Sequence, residues 1–155
     1  MNKINEFKND YAFLSNFYNL ECPIIYQGIC YRSVETAYQA QKTDDIRIKI
    51  EISRMLPGKA KIFAKTINLR TDWNDIKVAV MKKFVEEKFM RNLELKRKLI
   101  GLKDFEISEG NLWHDNFWGS CCCKKCAPGG IGNGKNILGK ILMDLRDSIL
   151  EFNKW

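Results

Sequence analysis

The sequence predicts a mainly α-helical α+β fold with one small antiparallel β element, and three observations support this class. An amphipathic segment begins near Asp72 or Asn74, and a second begins near Asn136, each with apolar residues three and four positions apart. Short apolar runs on either side of Gln27-Gly28 are typical of a β-hairpin. Helices and strands do not alternate along the chain, which argues against a parallel α/β fold.

The size and composition of the chain fit a single globular domain over residues 1–155. The 155 residues are 45% hydrophobic and 12% aromatic, which excludes a disordered or fibrous protein. The first ten residues are too polar for a signal peptide, and no apolar run reaches the roughly 18 residues of a membrane helix. We therefore expect a cytoplasmic protein without a membrane partner, whose six cysteines stay reduced or bind metal.

The formal net charge of +7, from 26 basic and 19 acidic residues, favours anionic partners such as nucleotides, phosphorylated sugars or nucleic acid. The same charge is also typical of a solvated lysine-rich surface that aids solubility. Composition does not choose between these two interpretations.

In the first third of the chain, residues 23–31 form the predicted hairpin, with Gly28 supplying the positive φ of its turn. Ser33 is a favourable N-cap for a helix that continues to Lys42. Glu35 lies in the first turn of this helix, where the helix dipole stabilises a carboxylate whether or not it has another role.

Residues 43–55 give a mixed signal, because isoleucines alternate with charged residues as in a strand, whereas Asp44 and Asp45 can begin a helix. We expect a helix here, followed by another from Pro57 to Lys65. The long helix after Asp72 has an apolar face formed by Ile76, Val80, Met81, Phe84, Val85 and Phe89.

Three further elements are predicted toward the C-terminus. A shorter helix from Leu93 to Ile100 ends at Gly101, and residues 105–107 form a short strand. The last helix, capped by Asn136, buries a stripe made of Leu138, Ile141, Leu142, Leu145 and Ile149. Arg146 is expected to point away from that stripe.

The stretch from Gly110 to Arg146 is the main candidate for a functional site. It contains two of the four tryptophans, the only histidine, four of the six cysteines and seven of the ten glycines. Polar and aromatic residues so concentrated in a glycine-rich segment favour a loop that contacts a ligand.

Cysteines at positions 121, 122, 123 and 126 contain one C-x-x-C pair, and His114 can supply a further ligand. Cys121 or Cys122, with Cys123, Cys126 and His114, would complete the four ligands of a structural zinc site. Such a closed site is poorly suited to activating water. The alternative is a set of reduced loop thiols without metal.

Residues 129–136 nearly match a phosphate-binding P-loop, with glycines five apart followed by Lys135. The match fails because Asn136 replaces the Ser or Thr that holds magnesium, and because no apolar strand precedes the loop. A simpler anion site remains open, in which backbone amides at a helix N-terminus and the Lys135 charge bind phosphate. A flexible connector is the alternative.

Four short motifs occur in order over nearly the whole chain. They are Leu14-Ser15-Asn16-Phe17, residues 33–42, residues 115–119 (Asp-Asn-Phe-Trp-Gly), and residues 134–139 with Met143 and Arg146. Together they resemble the NADAR family, which includes the YbiA-like N-glycosidases. The resemblance implies a YbiA-like single domain that hydrolyses N-glycosidic bonds without a catalytic cofactor.

Cleavage of an N-glycosidic bond builds a cationic sugar, which requires a carboxylate, a placed water and a surface on which the base can stack. The resemblance places the catalytic glutamate at Glu35, and Asp115 and Trp118 can complete the set. From the residues alone, these three can equally be a dipole partner, a turn-forming aspartate and a core aromatic. The expected substrate contacts are Asn16, Lys42, Gly119, Lys135, Asn136 and Arg146.

The resemblance implies two substrate classes, both phosphorylated: ribosylated intermediates of riboflavin synthesis, and ADP-ribose attached to guanine in nucleic acid or to a related group. One rival function is a non-catalytic module that binds ADP-ribose or a nucleotide, and the presence of Glu35 and Asp115 argues against it. Another is a zinc-stabilised module that binds nucleic acid and releases no product.

Overall fold

The computed structural model describes residues 2–152, which form six α-helices and six short strands. In chain order these are β1 (Asn2–Ile4), a 3₁₀ helix (Asn9–Leu14), β2 (Ile24–Tyr26), β3 (Ile29–Tyr31), α1 (Val34–Ala40), α2 (Ile46–Ser53), α3 (Pro57–Phe63), α4 (Trp73–Arg91), α5 (Leu93–Gly101), β4 (Phe105–Ile107), β5 (Gly110–Asn111), β6 (Ser120–Cys121) and α6 (Ile137–Phe152). The mainly helical α+β class is confirmed. None of the helices in this described range is long and apolar enough to cross a membrane.

The chain divides into two compact units, one of Asn16–Lys96 and one of Met1–Ser15 with Arg97–Trp155. We refer to them as the helical unit and the terminal unit. The expectation of a single domain over residues 1–155 stays a prediction.

In the helical unit, the predicted hairpin is confirmed. Strands β2 and β3 are antiparallel, and Ile25 pairs with Cys30. Gln27 and Gly28 both have positive φ, of 52° and 76°. Two such residues in a two-residue loop give the turn whose twist matches that of the flanking strands, which is why the hairpin forms at this point of the sequence.

Helix α1 lies at the centre of the helical unit, and all seven of its residues are buried. It packs against α2, α3, α4 and both hairpin strands. The predicted N-cap is confirmed, because the Ser33 hydroxyl accepts a hydrogen bond from the Thr36 N–H at 3.1 Å. The helix ends at Ala40, two residues earlier than Lys42.

The segment with alternating isoleucines is a helix, as expected. The Asp45 carboxylate caps α2 by accepting from the Arg47 N–H at 2.8 Å. In helical geometry the alternation spreads the isoleucines around α2, so Ile52 is fully buried while Ile46 and Ile50 remain exposed. The local cap therefore outweighs the period-two pattern.

Helix α4 begins where predicted, and its predicted apolar face buries Met81, Phe84, Val85 and Phe89. Asp72 precedes it but provides no side-chain cap. Its carboxylate instead accepts from the Arg70 Nε at 2.6 Å, and this ion pair lowers the pKa of Asp72.

In the terminal unit, two pairs of short parallel strands accompany helix α6. Strand β1 pairs with β4, and β5 pairs with β6. The strand at residues 105–107 was predicted, but its pairing with the N-terminus was not. No local pattern specifies that pairing, because the partners lie about one hundred residues apart in sequence.

Helix α6 buries Leu138, Ile141, Leu142 and Ile149 of the predicted stripe, and Leu145 is half-buried. Two polar residues bond to backbone groups, and the predicted cap at Asn136 is wrong. Arg146 is 5% exposed, and its guanidinium donates to the carbonyl oxygens of Leu102 (2.8 Å) and Phe105 (2.7 Å). The Asn136 side chain does not cap the helix. It accepts from the Glu109 N–H at 3.0 Å and donates to the Ile107 carbonyl at 2.9 Å. Both side chains therefore form hydrogen bonds with backbone groups that lie in β4 or next to it.

Candidate functional site

Glu35 lies in the first turn of α1 with a side chain only 6% exposed. Its backbone N–H donates to the Asn16 carbonyl at 3.0 Å. One helical turn later, the Gln39 amide donates to the Glu35 carboxylate at 2.7 Å. Since a buried carboxylate is costly unless it is hydrogen-bonded, Gln39 both stabilises and orients this group.

Two acceptor atoms beside Glu35 have no hydrogen-bond partner among the described residues. They are Oδ1 of Asn16 and Oε1 of Gln39, whose side chains are 7% and 3% exposed. An unsatisfied buried acceptor costs about 1–3 kcal/mol, and a hydroxyl or a water molecule would remove that cost. We call Asn16, Glu35 and Gln39 the glutamate cluster.

Lys42 follows α1 and lies near the glutamate cluster. Its Nζ is 5.7 Å from the ring centroid of Tyr38 and 5.9 Å from that of Trp73. Burial lowers the pKa of Lys42, attraction by Glu35 opposes this, and repulsion from Lys61, Lys65 and Lys77 lowers the pKa further. The structure thus brings the predicted residues Asn16, Glu35 and Lys42 together.

In the terminal unit, residues 115–119 form a tightly bonded loop, which we call the aspartate loop. One carboxylate oxygen of Asp115 accepts from the N–H groups of Phe117 (3.0 Å) and Trp118 (2.9 Å). The Asn111 side chain bonds both the N–H and the carbonyl of Asp115. This is the turn-forming role that the sequence allowed for Asp115, and it fixes the carboxylate.

Trp118 and Phe117 meet edge to face, with ring centroids 4.9 Å apart and an interplanar angle of 90°. Trp118 is half-buried. An indole that is supported on one edge and partly exposed can still offer a face to a ligand.

Next to this loop, His114, Cys121, Cys123 and Cys126 converge, with all candidate ligand atoms within 4.8 Å of one another. We call these residues the cysteine cluster. Nδ1 of His114 lies 3.3 Å from the Cys126 sulfur, 3.4 Å from that of Cys123 and 4.0 Å from that of Cys121. In a tetrahedral zinc site, N···S edges of about 3.6 Å follow from standard bond lengths. These four residues therefore fit a metal ion.

The structure decides between the two cysteines that the sequence left open. Cys121 is buried and belongs to the cluster, whereas Cys122 is exposed and its thiol is 3.5 Å from the Ser120 carbonyl. Strand β6 ends at Cys121, and successive residues of a strand point to opposite sides. Cys122 therefore points away from the metal-binding position.

Backbone geometry also supports a metal-binding interpretation of this cluster. His114 has a φ of 67°, a strained conformation that turns its imidazole toward the thiols. The Cys126 N–H donates to the Cys123 sulfur at 3.4 Å, and this bond lowers the pKa of the Cys123 thiol to about 6. Metal binding requires thiolates, so the bond favours the ligand form of Cys123.

Five backbone amides, from the end of the glycine-rich segment into the start of α6, are hydrogen-bonded within the protein. The N–H groups of residues 134–138 donate, in order, to Ser120 Oγ and to the carbonyls of Asn116, Gly119, Phe117 and Trp118. These bonds join the start of α6 to the aspartate loop. The amides of residues 134–138 at the helix N-terminus therefore bind protein oxygens, and an anion site in this segment stays a prediction.

Close packing explains several of the glycines in this stretch. A Cβ at Gly134 would collide with the Gly119 carbonyl, one at Gly132 with Ser120, and one at Gly119 with the Glu109 carbonyl. In contrast, a Cβ at Gly129 or Gly130 would meet nothing within 4 Å. Gly119 and Gly134 are thus needed for the approach of backbone to backbone, and Gly132 leaves room for the Ser120 hydroxyl.

The other predicted ligand contacts differ in their surroundings. The exposed Lys135 has its Nζ 5.5 Å from the Phe117 ring centroid, so this charge is available to solvent. The side chains of Asn136 and Arg146 are hydrogen-bonded to backbone groups, as described above. Contact of these three residues, and of Gly119, with a substrate stays a prediction.

Sequence reasoning missed two features of the helical unit. Gln39 could have been found from its position four residues after Glu35 on a helix. Lys88 could not, because nothing in its neighbourhood on α4 marks it as different from the exposed lysines. It is 1% exposed, with its Nζ 5.1 Å from the Phe89 ring centroid, and burial lowers its pKa to about 7.

Comparison with known proteins identifies the family to which this chain belongs. A sequence model of the NADAR domain matches residues 4–150. A riboflavin biosynthesis protein of Vibrio vulnificus is 38% identical over 146 residues, which are 92% of this chain but only 36% of that protein. The N-glycosidase YbiA of Escherichia coli is 33% identical over 144 residues, covering 91% of this chain and 83% of YbiA. The NMR structure of E. coli YbiA superposes with a TM-score of 0.78 at 30% identity, covering 97% of this chain and 85% of that one.

Proposed function

Because the chain belongs to the NADAR domain family, we propose that it hydrolyses the N-glycosidic bond between a ribose that carries phosphate or ADP and a base or base-like amine. The E. coli relative is named an N-glycosidase and the Vibrio relative a riboflavin biosynthesis protein. Both names are compatible with this reaction. The two substrate classes are ribosylated intermediates of riboflavin synthesis and ADP-ribosylated guanine in nucleic acid.

The glutamate cluster is the observation that carries this proposal. A buried carboxylate held by Gln39 stands beside two carbonyl oxygens that lack donors. Sugar hydroxyls and an attacking water are donors, so a ribosyl ligand would satisfy these oxygens and lie against a negative charge. A purely structural glutamate would not require unsatisfied acceptors around it.

The reaction assigns a defined step to Glu35. Water attacks the anomeric carbon as the C–N bond breaks, and the electron pair of that bond leaves with the base. Glu35 accepts the proton of the attacking water and stabilises the positive charge on the sugar, and the proton then passes to the departing nitrogen. The proposal keeps the two other predicted roles. Asp115 is a second carboxylate, and Trp118 is a surface on which the base stacks.

The proposal includes structural zinc in the cysteine cluster and no cofactor for catalysis. Three thiolates and one imidazole would close a tetrahedral site, which leaves no position for an activated water. Such a metal would fix His114 and, through the chain, the adjacent Asp115. Reduced thiols without metal are the alternative.

A turnover assay tests the function. The protein is incubated with ADP-ribosylated DNA and, separately, with the riboflavin intermediates, and released base and sugar are measured by mass spectrometry. Glu35→Gln should lower kcat by roughly a hundredfold or more. Glu51→Gln, an exposed change on α2, is the matched control and should retain full turnover.

Near-normal turnover in Glu35→Gln would remove this residue from the mechanism. Absence of product from both substrate classes, together with tight binding of ADP-ribose, would instead identify a non-catalytic binding module.

A further inference from the structure

The three cysteines of the cysteine cluster differ in their access to solvent. Cys123 and Cys126 are partly exposed, whereas Cys121 is 0% exposed. A small oxidant that diffuses to this surface therefore meets Cys123 and Cys126 before it meets Cys121. Since oxidation of cysteine follows exposure, the fold divides the cluster into a reachable pair and a protected thiol.

The two partly exposed cysteines are also close enough to form a disulfide. They are three residues apart in a turn, in which the Cys126 N–H donates to the Cys123 sulfur at 3.4 Å and the Ala127 N–H donates to the Cys123 carbonyl at 2.8 Å. The two sulfur atoms lie within 4.8 Å of each other. An S–S bond is about 2.0 Å long, so rotation of the two side chains has to close a gap of about 3 Å at most.

His114 depends on this pair for its conformation. Its φ of 67° is strained for a residue other than glycine, and such strain persists only where the surroundings fix it. Within the described part of the chain, the hydrogen-bond partners of its imidazole are the sulfurs of Cys126 (3.3 Å), Cys123 (3.4 Å) and Cys121 (4.0 Å). A disulfide has no S–H donor, so it would leave the imidazole with only the longest of these three contacts.

The cysteine cluster is joined to the aspartate loop at three points. His114 directly precedes Asp115. The Cys121 N–H donates to Oδ1 of Asn116 at 2.9 Å. Cys121 also pairs with Asn111 across β5 and β6, and the Asn111 side chain bonds both backbone groups of Asp115. A change at His114 or Cys121 therefore acts directly on the backbone that carries the Asp115 carboxylate.

We propose that Cys123 and Cys126 form an oxidisable pair that controls the aspartate loop. The disulfide releases His114 from its strained conformation and loosens residues 115–119, and reduction restores both. The oxidant is a hydroperoxide, such as hydrogen peroxide. As a control of hydrolysis through Asp115, the assignment rests on the proposed function.

One molecule of hydrogen peroxide balances the oxidation. One sulfur of the pair attacks a peroxide oxygen, the O–O bond breaks, and a sulfenic acid and one water form. The other sulfur then attacks the sulfenic sulfur, the S–O bond breaks, and the disulfide and a second water form. Both thiol protons leave in these water molecules, and two electrons pass from sulfur to oxygen.

The same reaction would remove half of the ligands from the metal site. With Cys123 and Cys126 joined, only His114 and Cys121 remain, and two ligands do not hold structural zinc. Zinc and the disulfide are therefore alternative states of this pair. The metal fixes the aspartate loop, and the disulfide releases it.

Trypsin digestion after peroxide treatment tests the oxidation site. Lys124 and Lys125 lie between the two cysteines, so trypsin separates Cys123 from Cys126 unless a disulfide joins them. The protein is treated with hydrogen peroxide, denatured, alkylated and digested. Mass spectrometry should detect two peptides joined through these cysteines, and dithiothreitol should separate them.

The matched control is Cys30→Ser/Cys122→Ser, which removes the two exposed thiols and should leave the joined peptides unchanged. Zinc-loaded protein should release its metal as the peptides become joined, measured with a chromogenic chelator. Oxidation of Cys30 or Cys122 while Cys123 and Cys126 separate on digestion would overturn the proposal.

Hydrogen exchange tests the coupling to the aspartate loop. The amides of Phe117 and Trp118 donate to the Asp115 carboxylate, so they should exchange roughly tenfold or more faster once the pair is oxidised. Dithiothreitol should restore the slow exchange. The Thr36 amide, which donates to Ser33 in the helical unit, is the matched control and should exchange equally in both forms. Equal exchange of the Phe117 and Trp118 amides in the two forms would refute control of the loop.

The turnover assay separates this proposal from the proposed function, because the exchange measurement uses no substrate. Oxidation should lower kcat by roughly tenfold or more. Full turnover with a loosened loop would refute the control of hydrolysis. Joined peptides and faster exchange in a protein that acts on neither substrate class would refute the N-glycosidase and support the oxidisable pair. Normal turnover without joined peptides would refute this proposal alone.

Discussion

Replacement of Arg146 by alanine tests whether this residue is structural or binds substrate. The change removes the donors to the Leu102 and Phe105 carbonyls. The Leu102 carbonyl keeps the Phe105 N–H as a donor at 3.0 Å, so the change leaves one buried carbonyl without the guanidinium, at a cost of about 1–3 kcal/mol. The ion pair with Asp147 adds little, since that carboxylate is 55% exposed.

For a chain of this length, 1 kcal/mol corresponds to about 2–4 °C in Tm. Arg146→Ala should therefore lower Tm by about 2–12 °C, measured by circular dichroism during heating. Asp147→Asn is the matched control on the same helix, and it should lower Tm by less than about 2 °C because it breaks only the exposed ion pair.

A different result would refute this reasoning. If Arg146→Ala unfolds within about 1 °C of the native protein while the KM for a phosphorylated substrate rises, Arg146 acts on the substrate and its carbonyl contacts are dispensable.

The remaining predictions concern metal, packing and pH. Elemental analysis should find about one zinc per chain, lost in Cys123→Ser but retained in Cys122→Ser; metal-free protein with full activity would mean that the thiols are reduced loop residues. Gly134→Ala should destabilise the protein by roughly 2 kcal/mol or more in urea unfolding, because the new Cβ meets the Gly119 carbonyl, and unchanged stability would show that the loop can shift. In the folded protein the pKa of Lys88 is about 7, below its value in the unfolded chain. Between pH 7 and about 10 the unfolded chain therefore binds more protons than the folded protein, and the free energy of unfolding rises with pH over this range. Lys88→Met should remove that rise, and an identical pH dependence in both proteins would contradict the burial of an uncharged amine.

Local chemistry made much of the fold predictable. The Gln27-Gly28 turn, the Ser33 cap and the Asp45 cap each depend on residues within four positions of one another, and all three formed as expected. The cysteine cluster was predictable for the same reason, since its ligands all lie between His114 and Cys126. The sequence could not decide between Cys121 and Cys122, because that choice depends on which side of β6 each residue occupies.

The sequence did not predict features that depend on contacts between residues far apart in the chain. Arg146 is buried because its guanidinium donates to the Leu102 and Phe105 carbonyls, and helical periodicity within α6 does not reveal these partners. The glycine-rich loop resembles an anion site, but the amides of residues 134–138 donate to oxygens of residues 116–120, and the sequence did not predict these bonds.

The exposed turn at Gly129 and Gly130 offers a place to insert foreign sequence. It begins three residues after Cys126 and precedes the tightly packed Gly132, so added residues would extend into solvent without displacing the start of α6. Exposed turns of this kind tolerate insertions, since lengthening a loop costs little entropy. A short peptide carrying a fluorophore at this position would report on metal binding by the neighbouring thiols while leaving Glu35 untouched.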